Sequence, residues 1–113
     1  MSVSFEGVGQ VFATFLCGNL TEGHVVKITD NGTVAECKAD DSFCGVAVCC
    51  KDDACTVQVG GFVTVEYSGS APTVGWSNLT ADGNGGVKAA SSGGVACLAV
   101  DVNTTAKTVT IML

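Results

Sequence analysis

A chain of 113 residues has the length of one domain, enough to bury roughly 65% of the surface its unfolded form exposes. Eleven acidic residues face five lysines and no arginine, a formal charge of −6; this removes the counterion-release term that draws proteins to phosphate backbones and argues against nucleic acid as a partner. Apolar stretches such as Val11 to Cys17 are far short of the roughly 18–20 residues a bilayer needs, so no membrane span is expected.

The opening residues Met1-Ser2-Val3-Ser4-Phe5-Glu6 carry neither a basic n-region nor an apolar h-region, which predicts a protein made and kept in a cytoplasm. On that reading the seven cysteines are reduced, and the sequons at Asn19, Asn31, Asn78 and Asn103 are turn residues. Up to Leu20 the chain first alternates (Val3, Phe5) and then turns steadily apolar through Val8, Val11, Phe12, Phe15 and Leu16. It suits either a first strand buried within the monomer or an arm that packs on a neighbouring subunit or partner. Residues 1–20 are therefore set apart as a strand or arm, and residues 21–113 as a single β domain.

Gly and β-branched residues interrupt every window long enough for a helical stripe, so the expected fold is all-β: a small barrel or sandwich built from hairpins. The first hairpin runs Val25–Ile28, turn Thr29-Asp30-Asn31-Gly32, Thr33–Cys37, with Asn-Gly supplying the two positive-φ positions of a type I′ turn. The second runs Phe43–Cys50, loop 51–54, Cys55–Val59, and a further strand Phe62–Tyr67 follows Gly60-Gly61. Residues 68–94 read as a long loop region with short strands near Val74–Trp76 and Gly86–Lys88. The last hairpin is Val95–Val102, loop 103–106, Lys107–Leu113.

At an offset of 52 residues the second and last hairpins align without a gap, Ala47, Val48, Ala54, Thr56 and Val57 recurring as Ala99, Val100, Ala106, Thr108 and Val109. Alternation places Cys44, Val46, Val48, Cys50, Cys55, Val57 and Val59 on one core face. In the last hairpin it places Ala96, Leu98, Val100, Val102, Lys107, Val109, Ile111 and Leu113 there.

Cys44-x4-Cys49-Cys50-x4-Cys55 suggests soft-metal ligation. Neighbouring strand residues point to opposite faces, however, and no C-x2-C turn closes two thiolates on one ion. No metal is expected, and the thiols serve as small hydrophobes, with a cross-strand Cys50–Cys55 disulfide as the alternative. His24 is the single histidine and has no nucleophile pattern beside it. Asp40-Asp41 and Asp52-Asp53 are read as solvated turn residues. Gly83–Gly86 and Ser91–Gly94 lack the strand and helix context of a phosphate cradle. No catalytic residue and no cofactor is assigned. Trp76 stands alone in an Ala/Gly/Ser-rich stretch, either packed beneath the loops or serving as an interface or ligand-stacking anchor.

The series Gly23-His24-Val25-Val26, Phe43-Cys44-Gly45-Val46-Ala47, Gly60-Gly61-Phe62-Val63, Gly94-Val95-Ala96-Cys97-Leu98-Ala99 and Thr108-Val109-Thr110-Ile111 resembles the capsid cement, or head decoration, proteins of tailed phages and prophages over residues 20–113. The resemblance implies a non-enzymatic, barrel-like structural protein of the virion, assembled in a bacterial cytoplasm. It would bind the outside of a major capsid protein shell and stabilise it as a homo-oligomer, often a trimer. The candidate partner-binding residues are Val3, Phe5, Val8, Val11, Phe12, Phe15, Leu16 and Trp76. A small β ligand-binding module of carbohydrate-binding type, using Trp76, is the alternative.

Overall fold

A computed structural model of the chain describes residues 10–113. Ten strands and no helix occur among them: β1 (Val11–Cys17), β2 (Val25–Asp30), β3 (Thr33–Glu36), β4 (Gly45–Lys51), β5 (Ala54–Gly60), β6 (Phe62–Glu66), β7 (Gly75–Ala81), β8 (Val87–Ala89), β9 (Val95–Asn103) and β10 (Thr108–Met112). Strands β1-β3-β2-β4-β5 close into a barrel, and β6-β10-β9-β7-β8 form a second sheet, which the bridge Tyr67–Val87 draws toward closure. The expected all-β class is the observed one.

Two cores result. The barrel interior holds Cys17, Val26, Val34, Ala47, Cys55 and Val57, with Phe15, Leu20, Cys44, Cys50 and Val59 packed against them. Five strands leave a narrow bore that favours small side chains, and four of the seven cysteines lie there: Cys17, Cys44, Cys50 and Cys55. The other core lies where the outside of the barrel (Val25, Cys37, Phe43, Val46) meets the second sheet (Val65, Leu79, Ala81, Val87, Cys97, Ala99, Val109, Ile111). Strands β2 and β4 are walls shared by both: Val25 and Val46 face one core, while their neighbours Val26 and Ala47 face the other. Adjacent apolar pairs are what a strand covered on both faces requires.

β1 belongs to the barrel, antiparallel to β5 (Phe12 opposite Gln58, Leu16 opposite Ala54) and parallel to β3. Val3, Phe5 and Val8 lie outside the described residues.

Several expectations need correction. The β2–β3 turn is not type I′: Gly32 has φ +63° but Asn31 is not among the positive-φ residues. The ladder shifts register between Ile28 and Asp30, so one left-handed glycine closes a bulged turn. In β4 the register shift between Ala47 and Cys49 makes Val48 the bulge residue, and it turns out to solvent, 43% exposed. Val46 and Cys50 therefore do not share a face. In β9 the shift sits between Ala99 and Asp101, and the buried face is Cys97 and Ala99 rather than Ala96, Leu98 and Val100. Lys107 leaves the core face altogether, because it is exposed in the turn with φ +56°.

Both bulges fall at the same place in the internal alignment, Val48 and Val100, so the offset of 52 holds for the first strand of each hairpin. It fails for the second: Ala47 pairs with Val57, but Ala99 pairs with Ile111 rather than Val109. The last hairpin has the longer turn by two residues. The stretch expected as mostly loop carries β7 as a full seven-residue strand.

Candidate surface for partner contact

Trp76 does not pack beneath loops. It is 71% exposed on the outer face of the second sheet, directly opposite Leu98 of β9. Leu98 is opposite Met112 of β10, which is opposite Phe62 of β6. Alternation fixes the direction of all four, since their neighbours Cys97, Ala99 and Ile111 point into the core. The result is a row of four large apolar side chains across four strands and three inter-strand spacings, roughly 14 Å. Leu98, Met112 and Phe62 are half-buried, and Val74, just before β7, is 62% exposed. At the Phe62 end of the row, Gln10 Nε2 lies 3.5 Å from the Phe62 carbonyl, where β1 begins.

The β1 candidates divide. Val11, Phe12 and Leu16 are exposed, whereas Phe15 packs against the barrel core. Trp76 and β1 are thus on different layers, linked by the corner at Phe62. Gln58 stiffens that corner: its Nε2 donates to the carbonyls of Gly60 (3.0 Å) and Phe62 (2.8 Å). Sequence reasoning missed Leu98, Met112 and Phe62 as members of the row. The β9 bulge inverted the assignment of Leu98, and nothing in the linear sequence marks which strands lie side by side.

His24 is held rather than poised. Its Nδ1 lies 3.1 Å from Glu36 Oε2, Glu36 Oε1 accepts the Thr21 amide at 2.9 Å, and the imidazole occupies the space a Cβ at Gly85 (φ +95°) would need. The contact pins the start of β2 to the end of β3. A cleft of about 310 Å³ beside it is lined by Glu22, Gly23, His24, Thr64, Val65, Glu66, Gly85 and Thr108. A second, of about 300 Å³, is lined by Asp40, Thr80, Ala90, Ser91, Ser92 and Gly94. Trp76 lines neither of these two clefts. Among the described residues no group of three or more His, Cys, Asp or Glu is arranged to hold a metal ion.

Asp40 and Asp41 are structural as well as solvated. Asp41 Oδ2 accepts from Lys27 Nζ at 2.6 Å and from the Lys38 amide at 2.8 Å, and the Lys27 hydrogen bond holds its carboxyl below the usual range. The Asp41 carbonyl takes the Ala81 amide (3.0 Å) and the Thr80 hydroxyl (2.9 Å), tying this turn to β7.

The thiols are set by burial. Desolvation, with the Asp41 carboxylate adding to it, pushes Cys37 from 9.0 up to about 11. Desolvation, with hydrogen bonding from Cys50, pushes Cys55 up to about 12. A thiol whose folded pKa is raised favours the fold fully below its unfolded value, and that contribution is lost as pH climbs through the folded one. The urea midpoint should accordingly hold level around neutral pH and fall from about pH 9 upward. A midpoint that rises over this alkaline range would contradict the burial of these thiols.

No family pattern and no curated protein matches the chain. Among solved structures, the N base of head fiber gp8.5 in bacteriophage phi29 is similar over 92% of this chain and 93% of that one, with a TM-score of 0.62 and 21% sequence identity. The shared feature is the fold. The likeness spans barrel and second sheet together, so the two layers form one architecture rather than two associated pieces.

Proposed function

We propose that this chain is a non-enzymatic structural component of a phage head, a decoration or cement protein that sits on the major capsid protein shell and stabilises it. One observation carries the reading: 92% of the chain, barrel and second sheet together, is similar in fold to a protein named as the base of a phage head fiber. The resemblance in strand order to capsid decoration proteins supports the same reading from the sequence side. The Trp76–Leu98–Met112–Phe62 row supplies the contact surface, since exposed aromatic and aliphatic anchors on a rigid sheet are what carry binding energy at protein interfaces. The same reading makes the protein a homo-oligomer, a trimer being the form the resemblance implies. Repetition around a symmetric shell converts a modest single contact into firm retention.

The test is the protein census of purified head particles from the strain that carries the gene. The reading expects this chain among the virion proteins in many copies per particle. Its absence from purified particles, with the chain abundant in the cleared lysate, would contradict the reading.

A further inference from the structure

Strands β4 and β5 bring Cys50 directly opposite Cys55, next to the turn at Asp52-Asp53. The Cys50 amide donates to Glu22 Oε2 at 3.1 Å rather than across to β5, so the two cysteines form a non-hydrogen-bonded pair. That is the position in an antiparallel ladder where Cα atoms come closest, about 4.5 Å, within the span a disulfide bridges. The sulfurs face each other 2.7 Å apart. Cys50 is half-buried at the end of the barrel, and Cys55 is 1% exposed. Cys49 is exposed and paired with Thr56, so it has no opposed thiol.

We propose that Cys50 and Cys55 are a dithiol that a small-molecule disulfide converts to a cross-strand bridge at the hairpin end of the barrel. The Cys50 thiolate, its proton lost to solvent, attacks one sulfur of the reagent. A mixed disulfide forms and the first small thiolate departs. That thiolate takes the proton of Cys55, whose sulfur then attacks Cys50 Sγ, forming the protein disulfide and expelling the second small thiolate. Two protein thiols are oxidised by two electrons, and the reagent disulfide is reduced to two thiols. At Cys49 the reaction stops at the mixed disulfide. The bridge fastens β4 to β5 where the barrel opens to solvent, and it forms when the protein passes from a reducing to an oxidising medium.

The experiment treats the folded chain with oxidised glutathione, alkylates it in denaturant without reduction, and digests it with trypsin. Cleavage after Lys51 separates peptide 39–51, which carries Cys50, from peptide 52–88, which carries Cys55. The expected result is that the two remain joined until a reductant is added, with fragmentation placing the bond between Cys50 and Cys55. The link should vanish in Cys50→Ser and persist in Cys49→Ser. Fragmentation of the wild-type peptides identifies the bonded sulfurs directly, so the answer does not depend on either variant folding. Alkylation of both Cys50 and Cys55 under conditions that load glutathione onto Cys49 would overturn the proposal, as would a bond joining Cys55 to Cys17.

Discussion

Val57→Asp is expected to abolish folding, whereas Thr56→Asp one position away leaves a folded protein. Val57 is fully buried inside the barrel, opposite Ala13 of β1 and Ala47 of β4, in a bore filled by valine, alanine and cysteine. Among the described residues of this cluster there is no cation to meet a carboxylate. The cost of several kcal/mol for an unpaired buried charge is comparable with the whole stability of a domain this size, about 5–15 kcal/mol. Thr56 points away from the bore, half-buried opposite Thr14 and Cys49, and the same substitution there should cost about 1 kcal/mol or less. Circular dichroism melts of the two variants decide it. Equal damage from both would mean that the face assignment of β5 is wrong.

Trp76→Ala is expected to leave stability nearly unchanged and to strip the protein from heads. A side chain exposed on a sheet contributes little to the core, so the melting temperature should stay within a few degrees of wild type. A tryptophan at the centre of an interface is typically worth 2 kcal/mol or more, about thirtyfold per contact, and multivalent attachment compounds the loss. Co-sedimentation of wild-type and variant protein with purified heads reads the effect. Ser91→Asp, in the polar cleft of about 300 Å³, is the control that should sediment as wild type does. Undiminished sedimentation of Trp76→Ala would remove the row from the interface.

The sequence carried the fold class because its period is two wherever it can be read and glycine interrupts the rest; the hairpins around Asn31-Gly32, 51–54 and 103–106 are where turn chemistry put them. The faces were harder. Single-residue bulges at Val48 and Val100 invert alternation partway along β4 and β9, and a valine at a bulge looks like any other strand valine. Val25-Val26 and Val46-Ala47 are legible in hindsight as strands covered on both sides, but a sequence does not say that a barrel will lie against a second sheet. β7 was underestimated because Gly75, Ser77 and Asn78 are poor strand formers. It persists because Leu79 and Ala81 are buried and β8 and β9 pair with it on either side. Of the apolar row, Trp76 stood out as the single tryptophan, while Leu98, Met112 and Phe62 join it only through strand order, which is a tertiary property.

Cryo-electron microscopy of purified heads tests the central claim most directly. The account predicts this two-layer β fold on the outer surface of the shell, with the face bearing Trp76, Leu98, Met112 and Phe62 turned toward the major capsid protein. Heads that lack the fold, or that carry it with this face open to solvent, would contradict the account.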